Sequence, residues 1–151
     1  MWGRVALLTS TSFAYKQDGI LPDGSKVPDI PFLSLLIIRR DLKKALIAES
    51  IIDTGFDAAI YANLTLAEFL EGSRPIRTAA LQAAGHSVEC EVFTAECDVT
   101  DPRSKPVLSL GEVEVYCPVD PDDLSEDVIV GRAILNRLTL HLNGKLTKIL
   151  V

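Results

Sequence analysis

An aspartate, a threonine and a glycine stand directly behind an apolar run, about one third of the way along the chain. The run is Ala48–Ile52, the tripeptide is Asp53-Thr54-Gly55, and the small apolar stretch Ala58–Ile60 follows. A strand that ends in a carboxylate and then turns at a glycine holds that carboxylate in a defined place. The sequence therefore predicts a strand whose end presents Asp53 at a fixed position.

Length and composition limit what surrounds this feature. With 151 residues, 48% of them hydrophobic, the chain can build the core of one globular domain. We expect a single domain over residues 1–151, with residues 1–30 forming an N-terminal strand and loop. The net charge of −6 argues against a nucleic-acid partner, because phosphate binding needs a basic face. No window approaches the length of a membrane span, so no membrane partner is expected.

The cysteines indicate the compartment and exclude some chemistry. Cys90, Cys97 and Cys117 are odd in number and lack any C-x-x-C spacing. We therefore expect neither a disulfide framework nor a zinc site, and we predict no metal, no cofactor and a cytoplasmic location. Near the N-terminus, Val5–Ala14 carries Thr and Ser throughout, which favours a first strand over a secretion signal.

Apolar runs alternate with turn residues along most of the chain, which is typical of an all-β fold with one or two short helices. Phe32–Ile38 and Ala45–Ile52 flank a charged turn and predict one hairpin. Ile76–Ala84 and Val88–Ala95 flank Gly85-His86-Ser87 and predict another.

The two helices and the last hairpin have their own signals. Asn63–Leu70 has helical spacing with Asn63 as its N-cap, and Arg132–Leu138 predicts a second short helix. Asn143-Gly144 separates two apolar stretches, Leu138–Leu142 and Lys145–Val151. This dipeptide predicts a tight hairpin, because both turn positions favour positive φ.

A second segment, about seventy-five residues after Asp53, gives the tripeptide a context. It reads Ile129-Val130-Gly131-Arg132 and leads into a predicted helix. Together the two segments resemble the signatures of retropepsin-like (clan AA) aspartic proteases of the single-domain prokaryotic or cellular type. The similarity covers roughly residues 30 to 151. It implies a closed β-barrel of the acid-protease fold with one half-site per chain.

The resemblance also implies a mechanism and a partner. Peptide hydrolysis in this class needs two carboxylates about 3 Å apart that share one proton. The chain contains one Asp-Thr-Gly, so the second carboxylate must come from another copy, with two Asp53 residues meeting on a two-fold axis. The implied protein is a homodimeric aspartic endopeptidase that acts on peptide or protein substrates. Thr54 would form a hydrogen bond across the axis, and Gly55 would let the substrate backbone approach.

Further residues receive roles from the same resemblance. Asp57 and Arg132 are expected to form a substantially buried pair that supports the active-site loop. The substrate-binding and flap positions implied are Phe56, Ala58, Ala84, Gly85, Val130 and Gly131.

Other interpretations remain open. Phe56 stands where viral members usually have Ala, and the predicted flap lacks a glycine-rich tip, so the chain could be a non-catalytic peptide-binding or dimerisation module of the same fold. An unrelated β-sandwich is a third possibility. The hairpin Leu138–Val151 is our first choice for a dimer contact, and the alternative is that it pairs within its own subunit.

Overall fold

The computed structural model describes residues 9–83 and 85–151. Ten strands and two short α-helices form the regular structure of this part, which confirms the predicted all-β class. The helices are too short, at six and four residues, to span a bilayer. The elements are β1 (Ser10–Ala14), β2 (Phe32–Arg39), β3 (Lys44–Ile52), β4 (Ile60–Tyr61), α1 (Leu64–Phe69), β5 (Arg77–Ala83), β6 (His86–Thr100), β7 (Pro106–Pro118), β8 (Val128–Val130), α2 (Arg132–Leu135), β9 (Thr139–Leu142) and β10 (Leu146–Leu150).

Six strands close into a barrel in the order β2-β3-β8-β4-β7-β6, and β6 pairs back with β2. This arrangement confirms the predicted closed barrel. The long strand β6 has two roles. Its first residues, His86–Val92, pair with β5 in the second predicted hairpin, and Glu96–Val99 pair with β2 in the barrel wall.

The barrel interior is filled by alternate residues of its strands. In β2, Leu33, Leu35 and Ile37 have no exposed surface, because every second side chain of a strand points to the same face. Val115 of β7 and Val130 of β8 reach the same core. Burying each such side chain contributes about 1.5–3 kcal/mol, so the core is the main source of stability.

A second sheet of three strands, in the order β1-β10-β9, packs on the barrel. Phe13 of β1 and Ile149 of β10 are buried and belong to the core. The predicted C-terminal hairpin therefore pairs within its own chain, and its expected contact with a second copy stays a prediction.

The turn of this last hairpin differs from the prediction. Leu142 pairs with Thr147, and the Asn143 N–H donates to the Leu146 carbonyl at 3.3 Å, so the central residues are Gly144 and Lys145. Only Gly144 has a positive φ, +89°. Positive φ at the first central residue alone is the pattern of a type II′ turn, so the expectation of positive φ at both Asn143 and Gly144 is wrong.

Both helices begin where the sequence predicts, and α2 ends earlier than predicted. Asn63 caps α1 as predicted, because its side-chain oxygen accepts from the Leu66 N–H at 3.0 Å. α2 begins at Arg132 but ends at Leu135, before the predicted Leu138.

All three cysteines are buried and free. Burial raises the pKa of Cys90 to about 11, and the pKa values of Cys97 and Cys117 to about 12. The thiols therefore stay protonated at neutral pH and act as small core residues.

Arg39 joins the end of β2 to the end of α1, although the sequence suggests only a charged turn there. Its side chain is 7% exposed, and Nη1 donates to the carbonyls of Phe69 at 3.2 Å and Glu71 at 2.7 Å. Nη2 donates to Asp41 at 2.6 Å. Hydrogen bonds of a charged group are worth more than neutral ones, so this contact matters for stability.

We expect Arg39→Met to lower the free energy of unfolding by about 2–4 kcal/mol, because it leaves these carbonyls without their donor. The nearby Lys44→Met is the control, since that side chain is exposed and forms no ion pair among the described residues, so it should change the value by about 0.5 kcal/mol or less. Urea titration followed by circular dichroism measures both. Equal effects of the two substitutions would contradict the assignment.

Candidate active site

The two segments singled out in the sequence are neighbours in the barrel. β3 and β8 pair in parallel, with Ile51 opposite Ile129 and Ile52 opposite Val130. The Asp53 N–H then donates to the Val130 carbonyl at 3.0 Å. Asp53 therefore begins its loop at the point where the strand ladder stops, which gives its backbone a fixed position.

The loop after Asp53 is closed by its own hydrogen bonds. The Gly55 N–H donates to Asp53 Oδ1 at 2.8 Å, and the Phe56 N–H donates to the Asp53 carbonyl at 3.2 Å. A Cβ on residue 55 would lie 3.1 Å from Oδ1, so glycine leaves room for this carboxylate orientation. The Asp53 side chain is exposed, and within the described part of the chain Oδ2 accepts no hydrogen bond. One carboxylate oxygen is thus oriented and the other is free.

The start of α2 holds the other side of this loop through main-chain contacts. The Gly131 N–H donates to Ala59 at 2.8 Å, and the Arg132 N–H donates to Phe56 at 2.8 Å. A Cβ on Gly131 would lie 2.6 Å from both the carbonyl oxygen and Cδ2 of Phe56, and closer still to the Ala58 carbonyl. Only glycine fits between the loop and the helix.

The predicted buried pair of Asp57 and Arg132 is wrong. Both side chains are exposed in the single chain, and no ion pair joins them among the residues described. Arg132 contacts the loop through its backbone N–H, which donates to the Phe56 carbonyl.

A cleft of about 570 Å³ lies between the Asp53 loop and the hairpin of β5 and β6. Asp53 and Asp57 supply carboxylates to it, and most of the other side chains that surround it are apolar or aromatic. An apolar cleft with a few polar groups is the usual form of a binding site. The lining residues are Asp53, Gly55, Phe56, Asp57, Tyr61, Ala80, Leu81, Gln82, Val88 and Ile129.

Of the five predicted substrate-binding positions that the structure describes, one lines the cleft. Phe56 lines the cleft. Val130 has no exposed surface and cannot contact a substrate, so that expectation is wrong. Alternation along β8 turns Val130 into the core and Ile129 toward the cleft.

The other predicted positions lie elsewhere. Gly131 is buried beneath the loop, and Ala58 lines a separate cavity with Glu114 and Arg137. Gly85 lies in the hairpin turn with φ +86° and is not part of the cleft lining. Ala84 lies outside the described residues. The predicted hydrogen bond of Thr54 across the two-fold axis involves a second chain, so it stays a prediction.

An aromatic cluster that sequence reasoning missed supports Phe56. Its ring meets Tyr61 edge-on, with centroids 6.1 Å apart, and Tyr116 likewise at 6.4 Å. The Tyr61 hydroxyl donates to the Asp123 carbonyl at 2.5 Å, and burial raises the pKa of Tyr61 to about 12. The cluster fixes the ring of Phe56 at one wall of the cleft. In the sequence, the one sign of this cluster is that Tyr61 directly follows the apolar stretch Ala58–Ile60.

Comparisons with known proteins bear on the fold. No protein-family model and no curated protein matches the sequence. The chain is similar in structure to a retropepsin-like aspartic protease from Rickettsia conorii, with a TM-score of 0.55 and 13% identity over 97% of this chain and 96% of that one. A simian foamy virus protease aligns at a TM-score of 0.44 and 18% identity, over 70% of this chain and 91% of that one. On the first of these similarities, which extends over nearly all of both chains, the protein has the retropepsin-like fold.

Proposed function

We propose that the protein is a homodimeric aspartic endopeptidase in which each chain supplies one Asp53. The observation that carries this proposal is the position of Asp53. Its carboxylate is exposed at a cleft, one oxygen is oriented by the Gly55 N–H, and the loop is held between β8 and α2. The retropepsin-like fold supports the same reading.

In this proposal the two Asp53 carboxylates share one proton. The ionised one removes a proton from a water molecule, whose oxygen bonds to the peptide carbonyl carbon, and the protonated one gives its proton to the carbonyl oxygen. The C–N bond then breaks as the proton taken from water passes to the leaving amine nitrogen, and the other carboxylate takes back a proton from the new carboxyl group. The pair titrates as a unit, because two like charges about 3 Å apart cannot both ionise cheaply. The hydrogen bond from Gly55 would keep each Oδ1 directed as the proton moves.

One chain does not supply both groups in this scheme. Asp57 also lines the cleft, but it is followed by Ala58 and Ala59 and lacks the turn that orients Asp53. A second copy related by a two-fold axis supplies an identical loop, and a closed two-fold dimer is the commonest assembly of soluble proteins.

The walls of the cleft favour peptides with apolar side chains. Phe56, Ile129 and Leu81 offer apolar surface from three different elements. An extended peptide beneath the β5–β6 hairpin would place alternate side chains against these walls.

We expect the protein to cleave unfolded protein substrates with a bell-shaped pH dependence, because one carboxylate of the pair must be ionised and the other protonated. Below the lower pKa of the pair the base is lost, and above the upper pKa the acid is lost, so the rate falls on both sides. A statine-type transition-state mimic should inhibit the reaction. Mass spectrometry of the products gives the rate and the cleavage sites.

The non-catalytic alternative makes a different prediction in the same experiment. A peptide-binding module would bind the peptides and release them unchanged at every pH. That result would overturn the proposal, whereas pH-dependent cleavage blocked by the inhibitor would support it.

A further inference from the structure

A hairpin precedes β2 and takes no part in the barrel or the three-stranded sheet. The N–H groups of Lys16 and Ile30 each donate to the other's carbonyl, at 2.9 and 2.8 Å, and this pair forms the base. Further along, Ile20 bridges with Lys26, and the Leu21 N–H donates to Ser25 at 2.7 Å. We call residues 17–29, which lie beyond the base, the arm.

The arm is largely exposed and makes no hydrogen bond to the rest of the described residues. Every residue of it except Val27 is exposed. Among the described residues, each hydrogen bond made by the arm has its partner within the arm. Its tip presents two large apolar side chains, since Ile20 is 74% exposed and Leu21 is 48% exposed.

Such a hairpin is not expected to remain alone in water. A two-stranded hairpin without packing is marginally stable, and neighbouring exposed apolar side chains often mark an interaction surface. The arm therefore needs a surface to cover Ile20 and Leu21.

The base of the arm is fixed to the strand that carries the candidate catalytic residue. Pro31, directly after the base, accepts from the Ile52 N–H at 3.1 Å, and Ile52 precedes Asp53. On the other side of the base, Lys16 forms ion pairs with Asp127 at 3.2 Å and Glu49 at 3.5 Å. The arm thus projects from the barrel at the end where Asp53 lies.

We propose that the arm packs against the second copy of the chain, with Ile20 and Leu21 as its apolar contacts beside the shared cleft. This inference rests on the proposed function, because the partner's Asp53 must approach the same end of the barrel. By two-fold symmetry each chain gives one arm and receives one, so the contact is made twice per dimer.

The first test removes the arm. Replacing residues 17–29 by Asn-Gly closes the chain between Lys16 and Ile30, whose backbones are already paired as the last pair of a hairpin. Because the arm makes no hydrogen bond to the described remainder of the chain, the shortened protein should keep its circular dichroism spectrum and melting temperature. We expect its dimer dissociation constant, from sedimentation velocity over a dilution series, to rise about tenfold or more.

The second test keeps the chain length. The double variant Ile20→Asp, Leu21→Asp should weaken the dimer by a similar factor. The control is Leu42→Asp, a side chain with 49% exposure in the turn between β2 and β3, at the end of these strands away from Asp53. It should leave dimerisation unchanged.

The outcomes separate this inference from the proposed function. If the natural chain is dimeric and active, and both arm variants dimerise as tightly as it does, the arm proposal is overturned and the enzyme proposal stands. If the natural chain is monomeric at every concentration and inactive, both are overturned. Weakened dimers whose activity returns at high protein concentration support both.

Discussion

Asp53→Asn should lower kcat/KM for peptide cleavage by about a thousandfold or more, with the fold and the dimer retained. Asparagine has nearly the same shape, and its side-chain oxygen can still accept from the Gly55 N–H, so the loop keeps its main contact. It cannot act as a base or carry the shared proton. Cleavage assays, circular dichroism and sedimentation measure the three quantities.

Asp57→Asn is the matched comparison, since Asp57 is the other carboxylate of the cleft. Its loss removes no group that the proposed chemistry uses directly, and we expect a fall of about tenfold or less. A larger effect at Asp57 than at Asp53 would show that the wrong carboxylate has been assigned.

Mixed dimers test whether the site is shared. When equal amounts of the natural chain and Asp53→Asn exchange freely, about one quarter of the dimers carry two intact carboxylates. Activity should then fall to about a quarter of that of the natural chain at the same total concentration. A fall to one half would mean that each chain works alone.

Gly131→Ala should lower the free energy of unfolding by about 2–3 kcal/mol, because the added methyl group has no space. Its Cβ would lie 2.6 Å from two atoms of Phe56, and one of them is a main-chain oxygen that cannot rotate away. The φ of Gly131 is −109°, so the effect comes from crowding and not from backbone strain. Urea titration gives the stability, and activity should fall as well, because the Asp53 loop must move.

Gly55→Ala is the comparison for Gly131→Ala, because it should disturb the Asp53 carboxylate without crowding the core. Its Cβ would meet only Asp53 Oδ1, at 3.1 Å, and that side chain can turn away. We expect a change in stability of about 1 kcal/mol or less with a marked loss of activity. If Gly131→Ala proved as mild as this, the contact between the loop and α2 would not be tight.

Local patterns were enough to predict most of the regular structure. Apolar runs marked β2 and β3, and Asn63 marked the start of α1, because these signals lie within one element. The resemblance carried by Asp53–Gly55 and Ile129–Arg132 predicted the barrel, whose closure depends on pairing between strands distant in the chain.

The features that were missed depend on how elements meet. Whether Ile129 or Val130 faces the cleft follows from the register of β8, which the sequence does not contain. The burial of Arg39 requires the end of α1 to lie beside it. The expected Asp57–Arg132 pair was transferred from relatives, and here main-chain contacts make that connection.

The pairing of β6 with both β7 and β2 limits how the hairpin of β5 and β6 can move above the cleft. From Cys90 onward β6 is tied to β7, and farther on also to β2. The Val119 N–H also donates to the Glu89 carbonyl at 2.9 Å, so within the described chain His86–Val88 and β5 lie beyond these ties. In the proposed enzyme, a peptide would therefore reach Asp53 by bending of this short tip, while the part of β6 that is paired with β7 and β2 stays fixed.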